Sequence, residues 1–245
     1  MTFPIKDIFV EGMRMPFEKY REILRLGWPY AILMFGSSAL SEDVDGVILN
    51  IVFYGFMCFT GILGVVSCHQ IFLSKQELVS ELRTFRWRSN ETRYLISAFV
   101  LGFLTSLMMI PSIFLFVYLD GDSFLQDSNL ISVNIVYAVM FIPVAYVTAR
   151  WSLILPHAAL GNEPTFSWAW DISKEFGANI FVLVGLMPLL TSIALGAILE
   201  LSSPSYFLNI FVGAVSLMVL VMELCFLSLS YRWLTTNSSK VGNES

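Results

Sequence analysis

The sequence predicts an all-α fold, a polytopic bundle of membrane-crossing helices, on three observations. Of the 245 residues, 56% are hydrophobic and only 13% are charged, whereas ordinary soluble domains carry roughly 25% charged residues. Six continuous apolar runs alternate with short polar segments, covering residues 24–40, 47–73, 94–119, 130–155, 178–200 and 207–233. The cations fall only in or beside alternate connecting segments, which six spans would put on one side. A globule of this size has too few charges to coat its surface, but a bilayer removes the need for them. At 1.5 Å per residue each run is about 25–40 Å long, enough to cross with some tilt. The runs lack the polar-apolar alternation of barrel strands, and in lipid only a helix satisfies its own backbone.

Orientation follows from the 14 Lys and Arg residues. Lys6, Arg14, Lys19, Arg21 and Arg25 precede or open the first run, and Lys75, Arg83, Arg86, Arg88 and Arg93 lie between the second and third. Arg150, Lys174, Arg232 and Lys240 stand at or beyond the ends of the fourth and sixth. The opposite segments, "SEDVDG", "DGDSFLQDSN" and "LSSPSY", hold no cation. By the positive-inside rule this predicts six spans with both termini cytoplasmic.

The first basic segment, "MPFEKYREILRLGWPY", brings Phe17, Tyr20, Ile23, Leu24 and Trp28 near one helical face. It is expected to lie in the interface and to turn into the first span near Gly27 and Pro29. The second, "SKQELVSELRTFRWRSNETR", puts Leu78, Leu82 and Phe85 in register. Its cluster Arg83, Arg86, Arg88 and Arg93 is expected to meet anionic headgroups, at about 1 kcal/mol per cation. The third, "NEPTFSWAWDISKEFGAN", predicts a helix opening near Pro164 and Thr165 that places Phe166, Trp170, Ile172 and Ser173 together. Each segment precedes an outward and an inward span, a threefold pattern whose residue identities barely match. Residues 1–234 thus form one transmembrane domain, and the polar tail 235–245 is expected to be disordered.

Small residues at every fourth position mark close helix approach in lipid. Ala98, Gly102 and Ser106, then Thr60, Gly64 and Cys68, and finally Ser192 and Gly196 are therefore expected in the interior. Pro111, Pro143 and Pro188 interrupt spans and predict kinks. Cys58, Cys68 and Cys225 read as packing residues.

Arg150 lies near the end of the fourth span, where its guanidinium can snorkel to the headgroups, and Arg232 has the equivalent place on the sixth. Trp151 and Trp233 follow these arginines at aromatic-belt positions. Glu223 is a carboxylate within the last span, a costly placement unless it is paired or hydrated. Two readings stand: an intramembrane Arg150–Glu223 ion pair, or a glutamate that reaches the interface alone.

Catalytic and metal-binding patterns are sparse. His69 and His157 stand without a His-Glu-x-x-His helix or paired cysteines, so no metal or other cofactor is expected. Gly55, Gly61 and Gly64 lie in an apolar span and read as packing glycines rather than a phosphate loop.

The segment "ARWSLILPHAALGNEPTFSWAWDISKEFGANIFVLVGL" at 149–186 resembles six-span bacterial inner-membrane proteins of the YciC-like group and the membrane domain fused to some glycerophosphodiester phosphodiesterases. The likeness is carried by Arg150, Trp151, Leu153, Pro156, Ala158, Ala159, Ala169 and Trp170, and "REILRLGWPY" is similar in kind. It covers roughly 40 residues closely and the remainder only in topology. It implies a helical module of a bacterial inner membrane, from a family without an agreed biochemical activity. Nothing here resembles the hydrolase's metal-binding site. His157 stands where the family commonly has a small residue, so whether this turn packs as in the family is open.

The leading expectation is a non-catalytic integral membrane protein that supports envelope organisation. Its expected partners are membrane lipids, with anionic headgroups on the cytoplasmic side, and a membrane protein or a second copy of the chain; no nucleic acid is expected. The alternative is a small-molecule or lipid transporter or channel, and a lipid-directed membrane enzyme is a third reading.

Overall fold

The computed structural model describes residues 2–40, 47–74, 79, 82, 85–118, 130–201 and 206–241, with side chains at 2–34, 50–74, 79, 82, 85–114, 141–198, 208 and 210–237. Among them the chain is helical, without strands. The elements are α1 (Ile5–Glu18), α2 (Tyr20–Leu40), α3 (Val47–Leu73), α4 (Ser89–Tyr118), α5 (Leu130–Trp151) and α6 (Ile154–Ala159). They continue with α7 (Phe166–Ile172), α8 (Gly177–Ile180), a π-helical segment (Phe181–Leu186), α9 (Met187–Leu201) and α10 (Tyr206–Val241).

Four stretches are long and apolar enough to cross a membrane: Asn50–Leu73, Ser89–Phe114, Gly177–Ile198 and Ile210–Asn237. Their surfaces fit lipid as solvent: Phe99 on α4 is 73% exposed and Phe211 on α10 is 63% exposed. The sequence runs at 24–40 and 130–155 fall on α2 and α5, helices of 21 and 22 residues.

The core gathers around the second half of α10, where Cys225, Leu229 and Leu234 meet Ile71 of α3, Leu153 and Ile154 next to α5, and Ile180 of α8. Helix α1, beginning at Ile5, was not foreseen as a separate element and packs on α10. Phe9 stacks on Phe226 at 5.7 Å, and a Cβ at Gly12 would come within 2.3 Å of that ring. The chain breaks at Lys19 rather than near Gly27 and Pro29, and α2 runs straight through both. Helix α2 lies close to α3 there: a Cβ on Gly64 would be 4.0 Å from the Gly27 Cα.

Only one of the three small-residue stripes faces inward as expected. Thr60 and Cys68 are buried, whereas Gly102, Ser106 and Ser192 are exposed, and nothing lies within 4 Å of a Cβ placed at Gly102 or Gly196. Small residues permit close approach but do not compel it. Helix α4 instead turns Tyr94, Ser97 and Leu101 inward, and Thr105 meets Thr148 of α5 at 3.1 Å. Pro111 and Pro143 lie within α4 and α5. The π-helical turn ends two residues before Pro188, where the proline ring opposes a regular bond to the carbonyl four residues back.

At the C-terminal end α10 continues to Val241, so the first seven residues of the expected disordered tail are helical. The Thr235 hydroxyl and Asn237 amide donate to the carbonyls of Tyr231 and Trp233 one turn back. Residues 242–245 lie outside the described residues.

Candidate functional site

Polar side chains inside an apolar bundle need partners, because an unmade hydrogen bond there costs about 1–3 kcal/mol. Here they form a layer at the end of the bundle where α1, α6 and α7 gather, and most are directed at the ends of helices.

Helix α6 is six residues long, and Ile154, Pro156, Ala158 and Ala159 are buried. So short a helix cannot hold itself and leaves its last carbonyls open. It closes in a Schellman turn: the Asn162 N–H donates to the His157 carbonyl at 3.2 Å and the Gly161 N–H to the Ala158 carbonyl at 2.9 Å. Gly161 has φ +87°, a left-handed conformation that favours glycine, and a Cβ there would be 2.8 Å from Asn90 Oδ1. The Ala159 carbonyl accepts from Gln70 Nε2 of α3 at 2.9 Å and from Asn90 Nδ2 of α4 at 3.3 Å. Arg93 of α4 donates Nη1 to the Gly161 carbonyl and lies 3.8 Å from Glu163.

Helix α7 is treated the same way. Thr165 caps its start, accepting the Trp168 N–H at 3.2 Å. At its other end Arg150, only 4% exposed, donates Nη2 to the Trp170 carbonyl at 2.6 Å and Nε to Ser173 Oγ at 2.9 Å. Its guanidinium lies 3.5 Å from the Trp170 ring centroid and 5.8 Å from that of Tyr146. Helix C-termini carry partial negative charge, so a cation there is favoured electrostatically as well. Gly177 makes the room: a Cβ on it would be 2.6 Å from the Tyr146 hydroxyl and 3.1 Å from the Arg150 Cδ. Lys19 and Arg25 act alike, donating to the carbonyls of Ile71 at 3.3 Å and Val79 at 3.0 Å.

Both histidines lie in this layer. His69 is fully buried, with Nδ1 2.8 Å from Ser228 Oγ, and that hydroxyl donates its one proton to the Leu224 carbonyl at 2.7 Å. The hydroxyl therefore accepts from His69, which carries its proton on Nδ1, and the bare Nε2 has no hydrogen-bond partner among the described residues. His157 stacks on Trp168 at 4.2 Å and lies 2.9 Å from the Tyr231 hydroxyl. Burial lowers its pKa below the usual imidazole value, opposed by a hydrogen bond to the Glu163 backbone. Among the described residues no three His, Cys, Asp or Glu side chains gather closely enough to hold a metal ion.

The residues singled out in the sequence disperse. Arg150 meets protein rather than headgroups, and its contacts are Trp170, Ser173 and Tyr146. Ion pairs among the described residues include Arg14–Glu18, Arg93–Glu163 and Arg232–Glu11; Glu223 is partly buried on α10 and is not among the partners of Arg150 there. The guanidinium is directed instead at the end of α7, with Nε, Nη1 and Nη2 facing Ser173, the Tyr146 hydroxyl and the Trp170 carbonyl. Trp151 packs edge-on to Phe166 at 5.2 Å, and Trp233 edge-on to Phe3 at 4.9 Å and Phe176 at 5.1 Å. Arg232 pairs with Glu11 at 2.7 Å, half-exposed. Arg86 is exposed, and the Arg88 N–H donates to Glu91 Oε2 at 2.7 Å, half of a capping box that opens α4. Arg83 lies outside the described residues.

Sequence reasoning missed Gln70, Asn90 and Gly161, and it placed Ser173 beside Trp170 without its bond to Arg150. Gly161 had a signal, a Gly-Asn pair directly after "HAAL". Gln70 and Asn90 act across long sequence separations and had none.

A cavity of about 430 Å³ opens between α2, α3, α4 and α10, apolar except for the rims of Tyr30, Tyr54 and Tyr94. No family model, curated protein or solved structure matches the chain.

Proposed function

We propose that this chain is a non-catalytic, six-span protein of a bacterial inner membrane that supports envelope organisation through lipid or protein partners. Both termini are cytoplasmic, and α1, α7 and the basic segment between α3 and α4 lie along the inner headgroups. The observation that carries this reading is the use of the buried polar groups. Gln70, Asn90, Arg93 and Arg150 are spent on helix ends rather than converging on an open cavity. Side chains committed in this way make a rigid module rather than a reaction centre. The resemblance of residues 149–186 to the YciC-like group supports the bacterial inner membrane, and the one-sided cations support the orientation.

Lipid or small-molecule transport is the second reading, favoured by the apolar cavity between α2, α3, α4 and α10. Native mass spectrometry of the gently extracted complex separates the two. A stoichiometric protein partner is the expected result. A lone chain holding one defined solute in that cavity would favour transport.

A further inference from the structure

A groove of about 340 Å³ runs between α1 and the last turns of α10, lined by Asp7 and Glu11 on one wall and by Arg232, Trp233, Thr236 and Asn237 on the other. Asp7 and Glu11 are four residues apart and share a helix face, as do Arg232 and Thr236, and Trp233 and Asn237. The α1 wall therefore repeats a carboxylate once per turn, and the α10 wall sets a guanidinium and an indole one turn before a hydroxyl and an amide. Glu11 is 2.7 Å from Nη2 of Arg232. A guanidinium has five N–H donors, so the pair leaves donors available to an anion. Asp7 is exposed one turn away, about 6 Å along α1. Asn237 donates its amide to the Trp233 carbonyl at 2.8 Å, which leaves its side-chain oxygen to accept. The groove thus offers donors at one point and acceptors about one turn from it, and its charged residues sum to one negative charge.

We propose that this groove binds a phosphoethanolamine group, its phosphate on Arg232 and its ammonium on Asp7 and Asn237. A two-carbon link between phosphate and ammonium matches a donor and an acceptor set one turn apart. The ammonium supplies three N–H donors to Asp7 and the Asn237 oxygen, and Trp233 presents an aromatic wall beside it. Location favours a lipid as the source: Arg232 and Trp233 lie in the last turns of the apolar stretch ending at Asn237. This placement rests on the membrane reading given above, which puts that end of α10 at the cytoplasmic headgroups.

Choline is the discriminating competitor, because its trimethylated nitrogen has no N–H to give Asp7. The test reconstitutes the full chain in nanodiscs holding equal amounts of phosphatidylethanolamine, phosphatidylcholine and phosphatidylglycerol with identical acyl chains. Retained lipid is then counted by native mass spectrometry. The expected result is about tenfold preferential retention of the ethanolamine lipid over the choline lipid, a difference of about 1.4 kcal/mol. Asp7→Asn, at an exposed position that leaves packing intact, removes the preference, and Asn237→Leu weakens it. Equal retention of the two lipids by the natural sequence, or an unchanged preference in Asp7→Asn, would overturn the proposal. Soluble glycerophosphoethanolamine separates the sources. If it displaces the retained lipid at millimolar concentration, the site takes the free group as well; if it does not, the lipid is the ligand. Loss of selectivity in a stably inserted protein defeats this proposal alone, whereas failure to enter nanodiscs defeats the membrane reading beneath it.

Discussion

Replacing Arg150 by methionine is expected to destabilise the protein by about 3–5 kcal/mol. Methionine keeps an unbranched apolar stem but not the guanidinium, so the Trp170 carbonyl loses its charged donor in a site where Arg150 is 4% exposed, while Ser173 still donates to the Ala169 carbonyl. The one buried carbonyl deprived of that donor costs about 1–3 kcal/mol, and the lost stacking on the Trp170 ring adds about 2 kcal/mol in a desolvated site. Arg150→Lys keeps the charge but cannot donate in two directions while lying flat on an indole, so it should recover less than half of the loss. A headgroup anchor would behave differently, since lysine snorkels as well as arginine. Unfolding of the three proteins in mixed micelles, monitored by tryptophan fluorescence, separates the two roles. Equal stability of Arg150→Lys and the natural sequence would return Arg150 to the lipid surface.

Gly161→Ala is expected to cost about 2–3 kcal/mol. Its φ of +87° imposes about 1–2 kcal/mol on any residue with a Cβ. The added methyl would also lie 2.8 Å from Asn90 Oδ1, displacing the side chain that donates to the Ala159 carbonyl, a bond worth about 1 kcal/mol. Gly161→Asn tolerates the left-handed backbone and should recover part of the loss. Gly55→Ala serves as the control, because nothing lies within 4 Å of its Cβ and alanine favours helix. The same micelle unfolding measures all three. A Gly161→Ala protein as stable as the control would mean that the turn after α6 does not hold this conformation.

Much of the fold was legible because hydropathy is a local signal. The apolar runs at 47–73 and 178–200 coincide with long helices, and Thr165 caps α7 where the sequence places the start of a helix. The site was legible only in outline. Arg150 stood out as a cation in an apolar run, yet its partners lie 20 and 23 residues away on a helix that folds back beneath it. Nothing local distinguishes a guanidinium that caps a helix from one that reaches headgroups, since both want it near the end of a span. The same blindness applies to Lys19 and Arg25, whose carbonyl partners are more than 50 residues distant. Helix α1 was overlooked because its contact with α10 rests on Gly12 admitting the Phe226 ring, a fit that no periodicity reveals.

A cationic face on one side of a six-span bundle is the premise on which the proposed partners and the phosphoethanolamine groove both depend. Single-cysteine labelling tests it most directly, with Cys58, Cys68 and Cys225 first replaced by alanine. Cysteines are introduced one at a time at Ser41, Ser123 and Ser203 in the acidic segments, and at Arg86 and Lys174 in the basic ones. In intact cells a membrane-impermeant maleimide should label the first three and reach the last two only after permeabilisation. Labelling of Arg86→Cys or Lys174→Cys from outside, or protection of Ser41→Cys or Ser123→Cys, would contradict the account.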